Sequence, residues 1–297
     1  MSTTETTVTT QTPVTGLTVA VVGAGGKMGL RVSNNLAKST HTVRYSETGE
    51  AGIARVRAAG REITPTEQAI QGADVVVLAV PDIVLEAVTA QVVPQLEAGA
   101  VVLTLDPAAA YAGLLFPRED IYYAVAHPCH PSVFFRRYTD EEWDDTFGGE
   151  KAGMDVVGAF EYDAPAQRAM AEQVIRDMYT PVLQVHWVTV KQLAQCEPTL
   201  VETVVCMLGD FMKEVMKEGI ARLGIPEPAA KAMMLGHIQV SLANSFGGDN
   251  PYSDACYIAM QYGRDRIIKD DWRVIFDDAE LDANLQQMLH LEHPIAR

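Results

Sequence analysis

The sequence predicts an α/β protein, a Rossmann-type parallel sheet followed by an all-helical C-terminal domain. Three observations predict it. A β-rich run at residues 17–22 ends in a glycine loop, Gly23-Ala24-Gly25-Gly26-Lys27-Met28-Gly29, that opens a helix. Further short runs rich in Val, Ala and Leu alternate with helical stretches, as strands buried on both faces and joined by right-handed crossovers do. After about residue 185 the apolar spacing becomes three, four or seven, through Leu193, Leu200, Val204, Leu208, Phe211 and Val215, which is helical.

Taken in order, residues 1–16 are Thr-rich with no hydrophobic period and are expected to be a disordered tail. Strands are expected at 17–22, 42–45, 75–80, 101–105 and 122–126, with helices between them such as 28–38 and 83–91. This part, 17–185, is the expected dinucleotide-binding domain. A long helix over 189–223 stops at Gly224-Ile225-Pro226. Helices over 228–244 and 254–269 follow, and an acidic stretch over 270–297 caps a helical domain spanning 186–297 that is expected to bind substrate and to dimerise. The 189–223 helix is too apolar for the outer face of a monomer, notably at Val204, Val205, Met207, Leu208 and Phe211, and predicts a homodimer.

The chain has 297 residues, 48% hydrophobic and 21% charged, with a formal charge of −16. Binding to nucleic acid or to an anionic membrane needs clustered Lys and Arg, which this balance excludes. Neither a signal peptide nor a membrane-spanning run is visible, and four scattered cysteines without a CxxC pair fit a reducing cytoplasm.

Glycines between a buried strand and a helix let the backbone turn tightly and approach a pyrophosphate, which the helix N-terminus then binds. The spacing reads as GxxGxMG through Gly23, Gly26 and Gly29, with Gly25, Lys27 and Met28 in the same loop. Glu47 lies 18 residues past Gly29, where an acid bonds the ribose hydroxyls and selects NAD. Arg44 and Ser46 are the alternative, as holders of an NADP phosphate. Val80-Pro81 and Asp106 end two further strands and are candidates for the nicotinamide side.

The segment Ala126-His127-Pro128-Cys129-His130-Pro131 follows a strand. Histidine there can act as general acid or base with a pKa near neutral, or as a metal ligand. Glu197 and Glu202 stand in an apolar helix around Pro198, and His237 in another; buried acids are costly unless paired, coordinated or catalytic. Lys191, at the start of the long helix, can serve as acid or base if desolvated. His130, Glu197 and His237 together would make a mixed N/O metal site for Zn, Mn or Mg. Arg136, Arg137, Arg264 and Arg266 are candidates for binding a substrate carboxylate.

With these residues in view, the chain resembles the 6-phosphogluconate and β-hydroxyacid dehydrogenase superfamily. AHPCHPSVF, QCEPTLVETV and NPYSDACYIAMQYG are similar to the bacterial D-apionate oxidoisomerase family, whose C-terminal region is named after phosphogluconate dehydrogenase. That resemblance implies an NAD-dependent enzyme that couples oxidation of a branched sugar acid to a carbon shift, giving 3-oxo-isoapionate. The superfamily lysine motif GxxxKxxNN is departed from, with Trp187 four residues before Lys191 and Gln195 in place of the second Asn. The departure points to His127 and His130 for acid–base work. A prephenate- or phosphogluconate-type dehydrogenase, or a dinucleotide sensor without chemistry, are the competing readings.

Overall fold

The computed structural model describes residues 14–248 and 252–295, so residues 1–13 of the expected tail lie outside the described residues. The elements run β1 (Thr18–Val22), α1 (Lys27–Leu36), β2 (Thr42–Ser46), α2 (Glu50–Ala58), α3 (Thr66–Ile70), β3 (Val75–Leu78), α4 (Leu85–Val92), β4 (Val101–Thr104), α5 (Ala108–Tyr111), β5 (Tyr122–Pro128), α6 (Asp140–Asp144), β6 (Met154–Ala159), α7 (Pro165–Met178) and β7 (Val182–Val188). The strands form one seven-stranded sheet in the order β2-β1-β3-β4-β5-β6-β7. The five foreseen strands are parallel. Residues Val75–Leu78 and Val101–Thr104 are buried throughout, as two covered faces require.

The sheet departs from the purely parallel expectation at its far end. β6 runs antiparallel to β5, with His127 opposite Val157, and β7 pairs parallel with β6. Neither strand was foreseen, and β7 straddles the expected boundary near 185. The chain divides instead into two compact units, one ending at Leu193 and one running from Ala194 to Ile295. On one face of the sheet, Val32 and Leu36 of α1 and Ala171, Val174 and Ile175 of α7 close the main core over Val21, Val77, Leu103 and Ala126.

The second unit is helical. α8 (Val190–Ala194) leads into a π-helical stretch, Gln195–Cys206, and then α9 (Met207–Leu223). Pro198 inside that stretch has no N–H to give the preceding turn, which interrupts the α-helical ladder. α10 (Glu227–Leu242), α11 (Asp254–Ile267) and α12 (Asp278–Met288) follow. None of α9, α10 or α11 has a buried residue, whereas α12 buries Leu281 and Leu285. Among the described residues, no helix is long and apolar enough to cross a membrane.

Candidate active site

From β1 the chain steps outward to β2 and then crosses back to β3 on the other side of β1. Strand order therefore reverses between β1 and β3, and the crevice at their carboxyl ends is where an open sheet binds dinucleotide. The glycine loop lines it. Gly23 has φ +82°, and a Cβ there would lie 2.6 Å from Ala79 O and 2.8 Å from Val80 Cγ1, so the β3 exit, with Val80 before Pro81, borders the loop. The Gly23 and Ala24 amides donate to Ser46 O at 2.9 and 3.0 Å, fastening the loop to β2. Gly26 is the N-cap of α1; no side chain caps this helix and no acid sits in its first turn. The N–H groups of Lys27, Met28 and Gly29 begin the helix, which suits a pyrophosphate.

Gly25 serves differently from the expectation. Its α-carbon faces α2, where a Cβ would collide with Gly52 O. Its N–H donates to Glu47 Oε2 at 2.9 Å, and its carbonyl accepts from Arg55 Nε at 2.7 Å. Glu47 Oε1 accepts from the amides of Thr48 and Gly49. Glu47 thus braces the loop from the position where the ribose is expected. The candidates for an NADP phosphate are engaged elsewhere. Arg44 donates to the carbonyls of Gln68, Ala69 and Gln71 at the end of α3, and the Ser46 hydroxyl bonds that of Thr66 at 2.8 Å.

Further along the same edge, Asp106 follows β4 and His127 lies one residue before the end of β5. A carboxylate oxygen of Asp106 and a ring nitrogen of His127 lie within 4.8 Å of one another. Burial pushes the His127 imidazole down to about 4, the neighbouring His130 adds to the shift, and the Leu105 backbone opposes it without reversing it. This corrects the expectation of a near-neutral group: His127 is a neutral ring at physiological pH. Its Nδ1 is buried with no hydrogen bond of good geometry among the described residues.

The His130 ring stands 6.3 Å from that of His127 at 82°. Its Nδ1 lies 2.8 Å from Phe147 O. A carbonyl only accepts, so Nδ1 carries the proton and Nε2 presents its lone pair. The backbone of His130 has φ +59°, a conformation costing a non-glycine residue about 1–3 kcal/mol. A cavity of about 580 Å³ opens beside it, lined by Cys129, His130, Phe135, Asp155, Leu183 and His186, a size that suits a small molecule. His186 Nε2 pairs with Asp155 Oδ2 at 3.0 Å. Sequence reading missed this pair because both residues sit on the two unforeseen strands.

Lys191 is exposed on α8, without the burial that acid–base use of a lysine needs. In the second unit, Glu197 and Thr199 are buried in the π-helical stretch while Glu202 is exposed. His237 bonds Met233 O through Nδ1 and lines a small cavity with Met212, Met234, Ile238, Ser241 and Leu242. Among the described residues no acid lines that cavity, so the donors around His237 do not fit the expected ion site. Arg137 donates to Pro131 O and lies over the Trp143 ring, bracing the histidine loop.

Comparison with known proteins matches this geometry. Residues 13–142 match the acetohydroxy acid isomeroreductase NADPH-binding domain, and residues 136–289 match the phosphogluconate dehydrogenase (decarboxylating) C-terminal domain. The D-apionate oxidoisomerase of Pectobacterium atrosepticum is 55% identical over 275 residues, 93% of this chain and 96% of that protein. The D-apionate oxidoisomerase of Cupriavidus necator is 39% identical over 91% of this chain and 98% of that protein. A solved semialdehyde dehydrogenase NAD-binding protein from Cupriavidus necator, in complex with calcium and NAD, has a TM-score of 0.89 at 39% identity, covering 92% of this chain and 99% of that one. The chain belongs to the D-apionate oxidoisomerase family of Rossmann-fold oxidoreductases.

Proposed function

We propose that the protein oxidises D-apionate with NAD and shifts a carbon in the same site, releasing 3-oxo-isoapionate. The 55% identity to the Pectobacterium enzyme over 93% of the chain carries this reading. Bound nicotinamide supplies the hydride acceptor, and this chain's residues supply the rest. The start of α1 holds the pyrophosphate, with Val80, Pro81 and Asp106 toward the nicotinamide. His130 accepts the substrate hydroxyl proton at Nε2 as the C–H bond breaks. The exposure of Lys191 favours the histidine over the lysine for that step.

His127 suits another task. A neutral imidazole beside a carboxylate fits a divalent ion of the Zn, Mn or Mg kind, which makes Asp106 and His127 better holders than the set first expected. Such an ion would polarise the substrate oxygens.

The test is turnover of D-apionate, following NADH absorbance and product by NMR. We expect 3-oxo-isoapionate, one NADH per product, and a higher kcat/KM with NAD than with NADP. Glu47→Gln removes the charge that opposes a 2′-phosphate and should narrow that preference. Activity lost with EDTA and restored by Zn²⁺, Mn²⁺ or Mg²⁺ supports the ion; unchanged activity in metal-free protein rejects it. No turnover of D-apionate, with turnover of another hydroxy acid, rejects the substrate.

We also propose a homodimer built on the helical unit, in a cytoplasmic setting. Leu200, Val205, Met207, Leu208, Met233 and Ile258 are all exposed on it. Short helices in water are marginal without a packed face, and an apolar surface of this kind marks an interface. Light scattering should give twice the 32.3 kDa chain mass; a stable monomer would reject the dimer.

A further inference from the structure

His130 is gripped by the loop that follows α6. After α6 the chain turns through residues 145–152, and the Asp145 carboxylate holds four amides of that turn. Its Oδ2 accepts from the amides of Glu150, Lys151 and Ala152 at 3.1, 2.8 and 3.1 Å. Its Oδ1 accepts from the Gly148 amide at 3.0 Å and from Arg31 Nη2 at 3.2 Å. Burial alone would raise the Asp145 carboxyl, but these amides and Arg31 outweigh it and hold it below the usual carboxylate range.

Arg31 and Asn35 of α1 tie the loop to the dinucleotide-binding helix. Arg31 Nη2 donates to Gly148 O at 2.7 Å, and Asn35 Nδ2 to Gly149 O at 2.6 Å. Inside this grip lies Phe147. Its carbonyl accepts the hydrogen bond from His130 Nδ1, and its ring lies 4.4 Å from the His130 ring and 4.7 Å from the Arg31 guanidinium.

We propose that Asp145 is a positioning residue. By fixing the 145–152 loop against α1, it aims the Phe147 carbonyl at His130 Nδ1, so that His130 keeps its proton there and offers Nε2 to the reaction. A free neutral histidine has no such constraint; the bond made by one ring nitrogen sets the state of the other. Arg31 completes the arrangement and links it to the helix that receives the cofactor.

The loss of turnover expected below rests on the role given to His130 above. The tautomer does not, since it is read in the protein alone, so a protein acting on another substrate would still show it.

Two-bond ¹H–¹⁵N correlation on histidine-labelled protein at pH 8, with the His130 signal assigned by its loss in His130→Gln, reads which nitrogen is protonated. The wild type should show His130 protonated at Nδ1. Asp145→Asn turns an acceptor into a donor facing amide N–H groups. It should yield a mixed or Nε2-protonated ring, kcat lowered by about 10–100-fold, the usual span for outer partners of a functional histidine, and an unchanged Kd for NAD. Arg31→Lys spares the three amide bonds to Oδ2, so it tests the same linkage should Asp145→Asn fail to fold, and it should shift the tautomer in the same direction. An Nε2-protonated His130 in the wild type overturns the proposal. So does a folded Asp145→Asn or Arg31→Lys protein that retains the wild-type tautomer.

Discussion

Gly29→Ala is expected to weaken dinucleotide binding by about 10–100-fold or more. The added methyl would meet the Gly23 carbonyl oxygen, which is backbone in a loop fastened to β2 and bordered by the β3 exit. Such a contact is relieved only by moving the loop or the start of α1. Overpacking of this kind costs about 1–3 kcal/mol, and each 1.4 kcal/mol is about tenfold in affinity. Gly26→Ala separates this packing effect from a direct one. Its Cβ would lie 3.4 Å from Gly23 O, an ordinary contact, so weaker binding in that variant reports a clash with the phosphate. Titration calorimetry with NAD measures both, with circular dichroism confirming the fold. Wild-type affinity in Gly29→Ala would remove the loop from the binding site.

The second large effect is on turnover. His130→Ala should keep NAD affinity, because the glycine loop is untouched, and lose about 10²–10⁴-fold in kcat, as removal of a positioned base does. His127→Ala should also keep NAD affinity. Its turnover loss should be reversed in part by raising the concentration of the activating ion, if Asp106 and His127 hold one. Steady-state kinetics beside direct NAD titration distinguishes these outcomes. Near-wild-type kcat in both variants would exclude the histidines from the chemistry.

The glycine loop and the five parallel strands were legible because buried strands and a strand–glycine–helix junction are local patterns. Residues 75–80 announce themselves by being apolar throughout. β6 and β7 were not legible for the opposite reason. β6 alternates buried Met154 and Val156 with half-buried Asp155 and Val157, and β7 buries only Val185 among seven residues. One face of each is thinly covered, so neither has the uniform apolar run of an inner strand. His127 and His130 were legible as a pair but not in their states. The first is set by burial, the second by a carbonyl seventeen residues away. The Arg31–Asp145 contact spans 114 residues, and no local spacing foretells it. Glu47 was found by its distance from the loop, while its bond to the Gly25 amide needed the folded chain.

The reversal of β6 has a consequence for how such an enzyme changes over generations. The chain leaves β5 at Pro128 and re-enters the sheet at Met154 on the same edge. Residues 129–153 are thereby a closed excursion with both feet planted in neighbouring strands. Lengthening or shortening it leaves every register in the sheet as it was, and the entropic cost of closure grows only slowly with length. The excursion carries Cys129, His130 and Phe135, part of the wall of the cavity beside the reacting edge. New substrates can therefore be admitted by rewriting its cavity-lining residues Ser132, Phe134 and Phe135, while His130 and the 145–152 loop that ties it to α1 are kept.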